Sequence, residues 1–278
     1  MTTFALTLVL IAALLHALWN AIVKIADDRA VGLAMVSAIH LAAGIVMVWM
    51  FGLPAPASWP YLIASILIHY AYYVFLFISY RLGDLSQVYP ISRGVAPVLV
   101  ALGASAFAGD TLSVGMWVGI VVVSLGIAIL SAAGWATTPR APVLAALATG
   151  LIIALYSVVD GIGVRLSQNP FGYIGWLFVG ELPVSLLVIY RRRHQLQVLS
   201  SRVLVLGVFG GLFSVLAYAL VLYTKTIAPI GAVSAVRESS VIVAALIGTM
   251  LLGEHHWRQR VGAAAIVGIG IIIIARSG

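Results

Sequence analysis

The sequence predicts an all-α polytopic membrane protein in which ten transmembrane helices form two inverted five-helix repeats. Three observations carry that reading. Of 278 residues, 63% are hydrophobic and only 8% are charged, against about 25% charged in a soluble domain. The apolar residues fall into ten segments, each close to the ~20 residues that cross a bilayer as a helix. And a buried-looking charge recurs: Arg93 and Arg237 lie 144 positions apart inside two apolar runs. At the same offset Ala101 answers Ala245, Leu102 answers Leu246, Gly109 answers Gly253, Gly126 answers Gly270 and Ile127 answers Ile271. Asp110 is likewise met by Glu254, and Arg81 by Lys225.

The segments follow in order. Residues 4–25 lack the basic start of a cleaved leader and lead into further spans, so they read as the first membrane helix. Residues 31–51 form a second, carrying His40. The third, 59–81, is aromatic, with Tyr70, Tyr72, Tyr73, Phe75, Phe77 and Tyr80. The fourth, 86–108, holds Arg93 between Pro90 and Pro97. The fifth, 112–133, is smooth and rich in small residues (Gly115, Gly119, Gly126), which let helix backbones approach closely. The second half repeats the plan. Segment 142–166 contains Tyr156-Ser157-Val158-Val159-Asp160, and 171–190 contains Glu181 just before Pro183. Segment 202–225 carries Tyr218 and Tyr223, and 228–252 opens at Pro229 and holds Arg237-Glu238. Segment 257–275 has Gly262, Gly268 and Gly270.

Five is odd, so a second copy enters the membrane upside down relative to the first. The expected units are residues 1–134 and 135–278 within one integral membrane domain. Connections after the odd-numbered segments hold ten basic residues, among them Arg191-Arg192-Arg193, whereas the opposite side holds Arg165, Lys225 and Arg276. Positive charge favours the cytoplasm, which puts both termini outside, the periplasmic side of a bacterial inner membrane. The net charge of +7 is scattered or sits at helix ends, so no nucleic-acid partner is expected. No cysteine occurs, which excludes disulfides and thiolate chemistry. Glu254-His255-His256 is a poor metal site, with adjacent histidines in a short connection, and no metal or cofactor is expected. No nucleophile motif, P-loop or dinucleotide fingerprint is present, so ATP hydrolysis or another enzymatic role is not expected.

The stretch Ala17-Leu18-Trp19-Asn20 ending in Lys24, together with the close of each half, resembles the drug/metabolite transporter superfamily in its ten-helix EamA-type branch. Each half closes with a small-residue helix, then Gly109-Asp110 or Gly253-Glu254, then a helix ending Gly126-Ile127-Ala128-Ile129 or Gly270-Ile271-Ile272-Ile273. The resemblance covers essentially the whole chain. It implies a secondary transporter, and the amino-acid exporters of the branch, aromatic ones included, fit this interior best. The fourth segment departs from the usual aliphatic family helix in its run Tyr89-Pro90-Ile91-Ser92-Arg93.

Inverted repeats place a solute site near the midplane between the halves. A charge in hydrocarbon costs at least ~2.5–3.5 kcal/mol on insertion scales, so Arg93 and Arg237 face a partner charge or a solute. A guanidinium can grip a carboxylate bidentately, or it can form an internal salt bridge with Glu238, Asp160 or Glu181. Asp160 and Glu238 can hold an ammonium group, take up a proton, or neutralise an arginine. His16, Asn20 and Lys24 are spaced i, i+4, i+8 on one helix face with Trp19 beside them. Tyr73, Tyr89, Tyr156 and Tyr218 are candidate lining aromatics, suited to stacking on a ring or an organic cation. Pro90 and Pro97 are candidate hinges. The expected solutes are amino acids or related small metabolites, exported by alternating access through a monomer in the lipid bilayer. The alternatives are a multidrug or organic-cation exporter and a non-transporting membrane sensor.

Overall fold

The computed structural model describes residues 1–25, 29–82, 85–130, 139–191, 193–194, 200–243 and 257–278. Among them every regular element is helical. In the first half these are α1 (Thr3–Ile25), α2 (Arg29–Phe51), α3 (Trp59–Leu82), α4 (Leu85–Phe107) and α5 (Val114–Ile129). In the second half they are α6 (Arg140–Leu166), α7 (Pro170–Gly180), α8 (Leu182–Arg191), α9 (Ser201–Thr224), α10 (Ile230–Arg237) and α11 (Trp257–Arg276). Eight helical stretches are long and apolar enough to cross a membrane, and α5 is a shorter apolar helix. The chain is thus an all-α, multi-pass membrane protein. The boundary expected near residue 134, the ninth segment beyond 243, and Glu254-His255-His256 lie outside the described residues.

Polarity runs inside out relative to a soluble domain. Trp49, Phe107 and Val114 are each at least 80% exposed. Arg93, Asp160, Lys225 and Glu238 are buried, with exposures of 6% or less. In lipid this is the favourable arrangement, because outward apolar side chains meet acyl chains and inward charges can find partners.

Two sequence segments prove to be broken helices. The seventh span divides at Glu181, between α7 and α8. The ninth turns at Glu238 and Ser239 before helix resumes at 240–243. Proline does not set either break. α4 runs unbroken through Pro90 and Pro97, and Pro183 lies inside the first turn of α8, where a missing N–H is tolerated.

Packing crosses between the halves. The first helix of each half lies along the third helix of the other, α1 on α9 and α6 on α3. The second spans pack together, α2 on α7 and α8, and so do the last, α5 on α11. Small residues make these seams close. A Cβ placed on Gly119 of α5 would sit 2.8 Å from the carbonyl oxygen of Gly270 on α11, and the converse distance is also 2.8 Å. Gly262 and Gly268, grouped with them on sequence, meet nothing within 4 Å.

Candidate functional site

α4, α10 and α1 bring the first cluster together. The Arg93 guanidinium donates to Glu238 at 3.3 Å, and both side chains are buried. It also lies over the Tyr89 ring, 5.4 Å from its centroid, a cation–π contact that adds to the pair. Glu238 follows Arg237 in sequence, yet its carboxylate goes to the arginine 145 positions away.

Arg237 is half-buried, and among the described residues no carboxylate or hydrogen-bond acceptor engages its guanidinium. It lies within electrostatic reach of His16, Tyr218 and Lys225. On α1, Trp19 donates its indole N–H to His16 Nδ1 at 3.2 Å. That assigns the ring proton to Nε2, because a neutral imidazole has one donor and one acceptor. His16 Nε2 is buried and has no partner among the described residues, and neither has the hydroxyl of Ser239 at the break in the ninth span. Asn20 turns its amide to the His16 carbonyl at 2.7 Å, so one of its donors is used locally.

Asp160 anchors a second cluster on α6. It is fully buried and accepts from the hydroxyls of Tyr218, at 2.5 Å, and Tyr173, at 3.3 Å. Tyr218 also lies 3.3 Å from His69 Nε2. His69 in turn packs on Tyr156, with ring centroids 4.4 Å apart, and Tyr156 meets Tyr72 edge-on at 5.7 Å. Tyr156 on α6 and Tyr218 on α9 thus meet one histidine, and Tyr72 on α3 joins them through Tyr156. The aromatic face of α3 is split, however. Tyr72 and Tyr73 turn inward, whereas Phe77, placed on the Tyr73 face by sequence, is 61% exposed to the lipid side.

Tyr73 leads to a third cluster. Its hydroxyl donates to Glu181 at 3.3 Å, and His40 Nδ1 contacts the other carboxylate oxygen at 3.2 Å. His40 Nε2 meets the Ser214 hydroxyl at 3.0 Å. Sequence reasoning offered Glu181 as a possible partner for an arginine and left His40 without a role. The available signal was that each is an ionisable residue at the centre of an apolar span.

The fourth cluster ties one end of the bundle. Arg165, at the end of α6, donates to Asp110 at 2.6 Å and to the carbonyls of Lys225, at 2.7 Å, and Ala228, at 3.0 Å. Asp110 also accepts from the Ile230 N–H that opens α10. Gly109, with φ +68, supplies the left-handed turn that presents Asp110. The sequence pairing of Arg81 with Lys225 does not extend to environment. Lys225 is buried and donates to the Ser157 carbonyl at 2.9 Å, whereas Arg81 is exposed and lies over Phe77. Among the described residues no group of three or more His, Cys, Asp or Glu is placed to hold a metal.

A solved crystal structure superposes with a TM-score of 0.76 over 99% of this chain and 99% of its own, at 18% identity. That likeness shows the fold alone. No curated protein matches the sequence. Residues 140–276 match the EamA-like transporter family, so the chain carries an EamA-like transporter domain across its second half and is a multi-pass membrane transporter of the drug/metabolite type.

Proposed function

We propose that the protein exports amino acids, including aromatic ones, or closely related carboxylates, by alternating access. The observation that carries this reading is the guanidinium of Arg237, which no carboxylate among the described residues pairs. A half-buried arginine without a carboxylate is poised for one from the solute, and the fork geometry of guanidinium suits that anion. The orphan donors His16 Nε2–H and Ser239 O–H are suited to complete the grip. Arg93 is already neutralised by Glu238 and so serves the pocket wall with Tyr89. Tyr72, Tyr156, His69 and Tyr218 offer aromatic surface for a side chain, and Asp160 holds the tyrosine hydroxyls in place.

The crossed pairing of first and third helices supports two inverted repeats, 1–134 and 135–278, related by a two-fold axis in the membrane plane. Rocking one against the other opens the pocket to either side, with α4 bending at Pro90 and Pro97. The distribution of basic residues supports periplasmic termini in a bacterial inner membrane. The candidate site is built wholly from side chains of one chain, which supports a monomer.

The deciding experiment is flux in proteoliposomes, with labelled amino acids and one aromatic cation. Saturable amino-acid movement that falls by about a hundredfold or more in Arg237→Gln supports this reading, since a lost charged hydrogen bond removes ~1.5–3 kcal/mol of binding and leaves the anion without its counter-ion. Movement of the cation alone, lost in Asp160→Asn and kept in Arg237→Gln, establishes an organic-cation exporter instead.

A further inference from the structure

Four carboxylates are described in this molecule, two of them buried and two half-buried, and their partners differ in kind. Glu238 faces Arg93 and Asp110 faces Arg165, and a guanidinium keeps its proton at any physiological pH. Asp160 is fully buried and held by two tyrosine hydroxyls. Glu181 alone among the described carboxylates is paired with an imidazole, a base that gains and loses a proton far more readily than a guanidinium. Both of its carboxylate oxygens are engaged, one by His40 and one by Tyr73, yet the Glu181 and His40 side chains each keep 13% exposure. The pair is therefore more open to a proton than Asp160, which has no exposed surface.

We propose that Glu181 and His40 form the proton-binding site that couples this carrier to a pH gradient. The inference rests on the transporter reading above and adds its driving ion. One proton from water adds to the imidazole or to the carboxylate, and the net charge of the pair goes from −1 to 0. No other reactant is needed.

The surrounding structure makes that charge change consequential. Glu181 sits at the break between α7 and α8, where its own N–H closes back on Phe178 and the Tyr70 hydroxyl donates to the freed Gly180 carbonyl. His40 comes from α2, and through Ser214 it is tied to α9, while Tyr73 ties Glu181 to α3. The pair thus sits on the α2–α7 seam and holds on to one further helix from each half of the chain. The titratable groups facing it are His69, Tyr70 and Tyr73 from α3 and, behind the Phe178 ring, Tyr218 from α9. No lysine or arginine among the described residues pairs with Glu181. When the pair is anionic, a hydrogen-bonded imidazole and a phenol hold four helices together. When the imidazole takes up the proton, its bond to Glu181 becomes charge-assisted and stronger, so the seam tightens, and it loosens again as the proton leaves.

The test compares the flux of the amino-acid panel with and without an imposed pH gradient in the same proteoliposomes. The native ratio is expected to be about fivefold or more, the lower range of coupling between sites. In Glu181→Gln and in His40→Gln it is expected to fall to one. A native ratio of one, or an unchanged ratio in both variants, overturns the proposal. If no panel member moves at all, the amino-acid reading has failed, and a substrate-free readout decides this one. The chain has no cysteine, so a single Ser157→Cys reports opening through its thiol-labelling rate, divided at each pH by that of free cysteine to remove the thiolate's own pH dependence, at about pH 5.5 and about pH 8. Labelling that depends on pH in that background and loses its dependence with Glu181→Gln supports the site. Labelling equal at both pH values overturns it.

Discussion

At Arg93 a guanidinium and a carboxylate leave water together, and the pair is worth more intact than either half is alone. Glu238→Gln strands a buried cation and is expected to destabilise the fold by ~3–5 kcal/mol, whereas the double variant Arg93→Gln/Glu238→Gln costs clearly less. Thermal unfolding in detergent separates the two. Arg237→Gln, with no pair to break, is expected to change stability by under ~1 kcal/mol while removing transport. The two arginines themselves were legible in the sequence as charges inside apolar runs. Which one was spoken for was not, because Glu238 adjoins Arg237 in the chain and only the turn at 238–239 sends its carboxylate to Arg93. The Glu181–His40 contact was hidden for a related reason. The two residues are 141 positions apart, and nothing local marks them as neighbours.

Single helices show the same division between what pattern specifies and what packing adds. Ten apolar stretches were plain from hydropathy alone, and the described helices fall within a few residues of nine of them, the ninth stretch being described only to residue 243. The breaks at Glu181 and Glu238 were hidden, since neither is a proline or glycine and the expected weak points, Pro90 and Pro97, lie in a continuous helix. Small residues on α5 and α11 were rightly expected at an interface, but period alone did not separate contact from exposure along α11. Gly119→Val is therefore expected to force the α5–α11 seam apart and lower stability by ~1–3 kcal/mol or more, because its Cβ would meet the Gly270 carbonyl. Gly262→Ala, with open space around it, is expected to be neutral or slightly stabilising, as a helical glycine replaced by alanine usually is. Detergent melting curves for the pair check both.

The end of the bundle closed by Arg165 is a property of the whole molecule, for it joins the connection after α4, the end of α6 and the start of α10. Removing Arg165 takes away three hydrogen bonds that hold this end shut. Arg165→Ala is expected to raise the labelling rate of a cysteine at Ser157 about tenfold, a modest shift between closed and open populations. An unchanged rate assigns Arg165 to static support. The crossed packing of the halves bears on how the protein is made. α1 and α3 emerge from the ribosome long before α9 and α6, the helices against which they finally lie. Until then His16, Asn20 and His69 must be shielded by each other, by lipid headgroups or by the insertion machinery. The first half is therefore an unfinished surface during synthesis, and quality control in the cell meets it in that state on every round of translation.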